Sequence, residues 1–323
     1  MSDRGTGSHT VGDELAGVRL DHVVRALFDA SWGRARGWIE RGKISVDGLV
    51  VTDPAAPARR GAAIAFEPAA RRPARKDDLD LARVVHVDDL IVVVDKPSGI
   101  STVPFGDEDD AALCHHVQRF LSRRGGPRPA RRRSALHPLL VVHRLDRGTS
   151  GLLVFARTRR AFLRLADQFR EHSVHRRYRA LAHGHVRSGT FRSHLLEDRG
   201  DGLRGSVERS PLPRVRRQRA GKIAVTHVEL EEYLRGDVSI VTCRLETGRT
   251  AQIRIHLSEA GHPLVGETLY LRDYQGEVVS APRLMLHAGE LGFVHPGSGE
   301  WTSFTRPVPD EMQAVIERLR AGR

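Results

Sequence analysis

The feature that most narrows what this chain can fold into is the run Val142-His143-Arg144-Leu145-Asp146-Arg147-Gly148-Thr149-Ser150-Gly151-Leu152-Leu153-Val154-Phe155-Ala156. Its first half is polar, charged and punctuated by glycine, and its second half is apolar almost without a break. That join reads as a loop feeding directly into an apolar strand. It sets one acid, Asp146, at the mouth of the strand. Most loop aspartates only satisfy backbone amides, but a lone carboxylate held at such a place can also do chemistry.

The rest of the composition limits which chemistry is plausible. A chain of 323 residues, 40% of them apolar, can hold one large domain and a small one. Lys and Arg number 52 against 40 Asp and Glu, a net charge of +12. Such an excess favours a polyanionic partner, nucleic acid above all. No apolar run approaches the roughly 18 residues of a membrane helix, and no charged-then-apolar leader opens the chain. A soluble, cytoplasmic protein without a membrane partner is therefore expected. Cys114 and Cys243 stand in unlike surroundings with no CxxC pair, so neither a disulfide framework nor a thiolate zinc site is indicated. The 17 histidines lack ligand spacing, and no metal is expected. GxSxG and HExxH are absent, so His143 next to the acid's loop reads as structural rather than as part of a hydrolase.

Residues 1–18 carry no apolar period and read as a disordered lead. From Arg19 the pattern changes. Leu20, Val23, Val24, Leu27 and Phe28 make one helical stripe opened by Asp21. Ser31 can cap a second helix carrying Ala35, Trp38 and Ile39, ended by Gly42. Lys43–Val46, Asp47-Gly48 and Leu49–Val51 then read as strand, tight turn and strand. This compact module spans residues 19–68, and residues 69–82 read as a linker. The remaining domain, 83–323, opens with strands over Val84–Val87 and Leu90–Val94, stopped at Lys96-Pro97-Ser98-Gly99. The arginine-rich stretch between Arg123 and Arg133 reads as a mobile loop, either solvated or clasping phosphates.

By residue identity, the segment around Asp146 resembles the catalytic signature of the RluA-type RNA pseudouridine synthases. Three further segments agree: Lys96-Pro97-Ser98-Gly99, His175-Arg176-Arg177-Tyr178, and Glu246-Thr247-Gly248-Arg249-Thr250-Ala251-Gln252-Ile253-Arg254. Residues 19–68, with Arg34, Arg36, Arg41 and Lys43 on one side, resemble the RNA-binding domain named after ribosomal protein S-four. The small-subunit siblings usually carry Gly where this chain has His143, which points away from that subgroup. The resemblance implies an α+β protein: a small helix-hairpin RNA-binding domain, then a catalytic domain on a largely antiparallel mixed sheet.

It also implies roles. Asp146 would be the catalytic carboxylate, Arg254 its ionic partner, and Tyr178 the ring against the target uracil. Arg144 would brace the gap left by an extruded base. Arg34, Arg36, Arg41, Lys43, Lys96, Arg249 and Gln252 would contact RNA. Two departures from the family pattern stand out. Ala251 replaces a common His, and Glu267 follows Gly266 where Asp is common; the segments Gly261–Gly266 and Leu284–Ala288 also resemble the family and read as supporting the fold more than the site.

Converting uridine to pseudouridine breaks one carbon–nitrogen bond and makes one carbon–carbon bond, with nothing oxidised and nothing lost. No cofactor is therefore expected. The implied substrate is structured RNA, large-subunit ribosomal RNA first and transfer RNA second, acted on by a monomer. A non-catalytic ribosome-assembly protein and a glycosidic hydrolase stay open. The first would tolerate Asp146→Asn, and the second would release free uracil.

Overall fold

The computed structural model describes residues 7–68, 70, 81–104, 112–123, 139–199, 203–210, 221–271 and 274–321. The chain divides into two units, Met1–Asp77 and Asp78–Arg323. Among the described residues no helix is long and apolar enough to cross a membrane. Most of the segment read as a linker, and the arginine-rich stretch beyond Arg123, lie outside the described residues.

In the first unit, helices α1 (Leu20–Leu27) and α2 (Trp32–Glu40) accompany strands β1 (Gly7–Thr10), β2 (Ile44–Val46), β3 (Leu49–Val50) and β4 (Ala63–Phe66). The sheet order is β1-β4-β2-β3. The α1 stripe buries Leu20, Val23 and Val24 against Ala35 and Ile39 of α2 and against Ile44, Ile64 and Phe66 of the sheet. The Ser31 hydroxyl accepts a hydrogen bond from the Arg34 amide at 3.4 Å, capping α2. Asp47 and Gly48 both take positive φ, 52° and 77°, the conformation a two-residue hairpin needs.

The disordered lead expected over 1–18 is corrected for residues 7–18; residues 1–6 lie outside the described residues. Gly7–Thr10 pairs with β4, Gly7 opposite Phe66 and Thr10 opposite Ala63, and Val11 is buried behind them. The side chains of β1 are largely exposed, so its sequence carries no apolar alternation. What recruits the strand is the hydrogen-bonding edge that β4 would otherwise leave open.

Within the described residues, the second unit is built on one sheet of eleven strands. In chain order these are β5 (Val84–Val87), β6 (Ile91–Lys96), β7 (Leu140–Val141), β8 (Ser150–Ala156), β9 (His175–His183), β10 (Gly189–Leu196), β11 (Gly205–Ser206), β12 (Lys222–Leu234), β13 (Val238–Leu245), β14 (Leu286–Val294) and β15 (Trp301–Thr305). Their path is β11-β10-β12-β13-β9-β14-β8-β6-β5, with β15 beside β14 and β7 beside β8. All these pairings are antiparallel except β14 with β8.

Helix α3 (Leu113–Arg123) buries Leu113, Val117 and Leu121 on one part of the core. Helix α4 (Arg159–Arg170), capped by Thr158, buries Ala161 and Leu165 against Val93, Val154 and Phe293. A short helix α5 (Gln252–Glu259) carries site residues. The last helix, α6 (Asp310–Ala321), lays Met312, Val315, Ile316 and Leu319 against Leu181, Ile240 and Met285. Cys114 and Cys243 are buried free thiols.

The parallel contact between β8 and β14 depends on a backbone approach that only glycine permits. Gly151 stands at φ 117°, and a Cβ there would lie 2.3 Å from the Ala288 carbonyl oxygen. Gly151→Ala is accordingly expected to destabilise the second unit by more than about 3 kcal/mol, measured as a lowered urea midpoint. A midpoint matching wild type would mean the two strands can part without cost.

Candidate active site

The loop that carries Asp146 is held mainly through its own backbone. Thr102 donates its hydroxyl to the Leu145 carbonyl at 2.9 Å and accepts from the Leu145 amide at 3.2 Å. The Gly99 amide and the Lys96 ammonium both donate to the Arg147 carbonyl, at 2.8 and 3.2 Å. Ser98 donates to the Gly148 carbonyl at 2.7 Å. Just upstream, the His143 ring lies 4.5 Å from Phe169 and accepts from the Val154 amide at 3.2 Å. Burial, with Arg176 adding to it, pushes His143 down to about 3. It is therefore a neutral structural ring.

Asp146, 22% exposed, meets the Arg254 guanidinium at 3.4 Å through Oδ2. Arg254, 13% exposed, is gripped from its other side by Glu267, with Nε and Nη2 donating to the two carboxylate oxygens at 2.7 Å each. A bidentate pair of this kind fixes a guanidinium plane as well as its charge. The Glu267 side chain is 1% exposed and also accepts from the Thr268 and Leu269 amides at 2.9 Å. Burial works to raise its carboxyl, but Arg254 and those two amides outweigh burial and hold it below the usual range. The Tyr270 ring covers the guanidinium at 5.0 Å. The result is a chain of charge, Glu267 to Arg254 to Asp146, whose side-chain exposure rises from 1% through 13% to 22%.

Tyr178 lies on β9, paired with Cys243 on one side and Ala288 on the other, in the middle of the sheet. Burial raises its phenol; Arg176 opposes the shift and Asp146 adds to it. At neutral pH the ring therefore keeps its proton. Asp146, Tyr178, Arg254, Arg144, Arg249 and Gln252 all line one cleft of about 550 Å³. Arg144 is exposed at its edge.

Two sequence expectations change on inspection of partners. Lys96, expected to contact RNA, is fully buried and gives its three protons to the carbonyls of Pro97, Ile100 and Arg147. Burial pushes it down to about 7, with Asp146 pulling the other way. The resemblance implied a contact with RNA, but among the described residues its donors are satisfied inside by carbonyl oxygens. Gln252 lines the cleft but is also committed: its amide donates to Val225 O and Thr226 Oγ1, and its oxygen accepts from Thr247 Oγ1 and the Arg249 amide. It starts α5 instead of reaching outward. Arg249 itself donates to the Ile223 carbonyl at 3.0 Å.

The other four candidates are in the first unit. Arg34 lies 5.1 Å over Trp38, and Arg41 reaches back to the Gly37 carbonyl. Lys43 donates to the Pro68 carbonyl. Arg36 shares the buried Asp21 carboxylate with Arg19, at 3.4 Å against 2.8 Å.

Sequence reasoning missed Glu267, which it assigned to the fold. The available signal was an acid placed thirteen residues after Arg254 at the end of a glycine turn, but nothing local says that the turn brings the two together. Ala251 takes φ 56° before α5, so the position commonly filled by His here holds an apolar residue in a left-handed conformation.

A family model described as RNA pseudouridylate synthase matches residues 90–259, and an S4 domain model matches residues 18–64. The ribosomal large subunit pseudouridine synthase D of Zymomonas mobilis is 36% identical over 323 residues, covering 96% of each chain. Its namesake from Pseudomonas aeruginosa is 33% identical, covering 100% of this chain and 98% of that one. Among solved structures, human RNA Pseudouridylate Synthase Domain Containing 4 shares the fold at TM-score 0.57 and 21% identity, over 74% of this chain and 93% of its own.

The Glu267–Arg254 pair has a testable pH signature. A carboxyl lowered by folding contributes stability that is complete above its ordinary value of 4.5 and is lost as pH falls through the lower, folded value. Glu267→Gln is expected to cost about 2–4 kcal/mol at pH 7. That gap should narrow as pH falls toward 3 in denaturant titrations. A gap constant across this range would contradict the ionic grip.

Proposed function

Because the chain belongs to the RNA pseudouridylate synthase family, we propose that it isomerises uridine in large-subunit ribosomal RNA, with Asp146 as the catalytic carboxylate. The observation that carries this reading is the Asp146 carboxylate held at 3.4 Å by an arginine that is itself locked to a buried glutamate. Isomerisation requires the C1′–N1 bond to break, the uracil to turn while bound, and C1′ to bond to C5 as the C5 proton leaves. A carboxylate beside the ribose serves by attacking the anomeric carbon or by taking a neighbouring ribose proton. Water must be kept from the reactive sugar. The buried Tyr178 and Leu145 and the Phe169 ring give the cleft apolar walls for that purpose.

Tyr178 stacks on the extruded uracil. Its raised phenol favours stacking over acting as a base, because a phenolate is disfavoured there. Arg144, exposed at the cleft edge, contacts the displaced strand. The protein acts on this RNA as a monomer. Ribosomal RNA is chosen over transfer RNA because relatives alike over nearly their whole length bear the large-subunit name. That substrate also places the protein in the cytoplasm. The S4 module, with Arg34, Arg41 and Lys43 outward, adds a cationic grip on the same RNA.

Asp146→Asn is expected to lower single-turnover pseudouridine formation at least about 10³-fold with little change in RNA affinity. Nucleotide-resolution mapping in cells with and without the gene should show one or more large-subunit sites vanish. Loss confined to transfer RNA, or normal isomer formation by the asparagine variant, would overturn the reading. Binding should also weaken with salt at a log–log slope of about −0.7 per neutralised phosphate on single strands. Salt-indifferent affinity would contradict the cationic grip.

A further inference from the structure

Strand β9 turns alternate side chains to opposite faces of the sheet, and its three arginines are treated differently on the two sides. Arg177 lies 3.2 Å from Glu229 and 3.9 Å from Glu290. Arg179 lies 2.7 Å from Glu231. Both belong to the face away from the cleft. Arg176 shares the cleft face with Tyr178 and has no carboxylate partner among the described residues, although at 7% exposure it is the most buried of the three.

Its Nη2 donates to the Glu246 carbonyl at 3.0 Å. Its Nε is buried without an acceptor among the described residues. The guanidinium carbon lies 5.5 Å from the centre of the Phe169 ring. Gly248 makes room for it, since a Cβ there would fall 2.5 Å from Nη1. A buried cation with unused donors, walled in by glycine and an aromatic ring and open to a cleft, is an arrangement that lacks its acceptor.

We infer that Arg176 is a substrate-binding residue that donates to a carbonyl oxygen of the target uracil, an inference that rests on the Asp146 reading above. Depth decides between base and phosphate. Arg144 is exposed at the mouth, where the sugar-phosphate chain of a flipped nucleotide remains. Arg176 lies in the wall, two residues or about 6.6 Å along the strand from Tyr178, within the span of a base resting on that ring. When the C1′–N1 bond breaks, its electron pair passes into the uracil ring and onto O2 and O4. A fixed guanidinium beside one of those oxygens is in place before the charge appears and loses nothing to reorganisation. The pair returns when C5 bonds to C1′, and the C5 proton is then released.

The test is single-turnover isomerisation of an RNA containing the mapped uridine, alongside RNAs with 2-thiouridine or 4-thiouridine at that position. Arg176→Met is expected to lower the saturating rate about 10²-fold while changing RNA affinity less than about threefold. Wild type should react more slowly with one of the two thio substrates, sulfur being the weaker acceptor, and Arg176→Met should lose that discrimination. An unchanged saturating rate would overturn the inference. So would a loss confined to affinity with the salt slope reduced by about 0.7, the mark of a phosphate contact.

Should the methionine variant fail to fold, Gly248→Ala displaces Nη1 while leaving the charge in place. It is expected to slow the reaction and weaken the same discrimination, and wild-type behaviour there would also overturn the inference. Wild-type protein that makes no pseudouridine on the mapped RNA would sink the Asp146 reading and this one together. Isomer formation by wild type with Arg176→Met equally fast at saturation would sink only the role of Arg176.

Discussion

One guanidinium shared by two carboxylates organises the second unit's chemistry. Arg254 is bound by Glu267 at two points and by Asp146 at one. The bidentate contact is the shorter and more buried, so it sets where the arginine lies. Asp146 then meets a cation already fixed in position. In a partly desolvated cleft that order matters, because a charge-assisted contact that has to be assembled during reaction would lose side-chain entropy each time. Here the ordering is done by folding.

The second constraint is the backbone clamp on the acid's loop. The strand that ends at Lys96 delivers a turn whose lysine, serine, glycine and threonine bind the carbonyls and amide of residues 145–148. Lys96, lowered by burial to about 7, has its charged form held inside by carbonyl oxygens, with no carboxylate contact among the described residues. Three carbonyl dipoles converge on its three protons, a match of geometry that lowers the cost of burial. Clamp and guanidinium act on the same acid from different directions, one on its main chain and one on its side chain.

Much of this was legible in the sequence, and the rest was hidden for identifiable reasons. The α1 stripe, the Ser31 cap and the Asp47-Gly48 turn are local signals, and each appears as read. Asp146 and Arg254 came from segments matched residue by residue, and they meet in the cleft. Strand β1 was invisible because its side chains bury almost nothing; its partner is a backbone edge contributed fifty-odd residues later. Lys96 and Gln252 were expected to contact RNA from the segments they match, and a matched segment does not say whether acceptors wait inside. Glu267 was assigned to the fold because its importance lies in what Arg254 needs, which only the tertiary contact reveals. Arg176 carried no signal of its own among neighbouring arginines until the two faces of β9 could be told apart.

Since the turn after β6 holds the acid's loop by peptide groups, the identity of the outward side chains at 144 and 147 contributes little to where the acid sits. Among the described residues Arg144 is exposed without a hydrogen-bond partner, and Arg147 adds one side-chain bond to the Gly99 carbonyl. Either side chain can therefore be exchanged, and the charge of the rim altered, without moving the carboxylate below. Floor and lip are in this sense separable, the one fixed by peptide hydrogen bonds and the other free to change its charge.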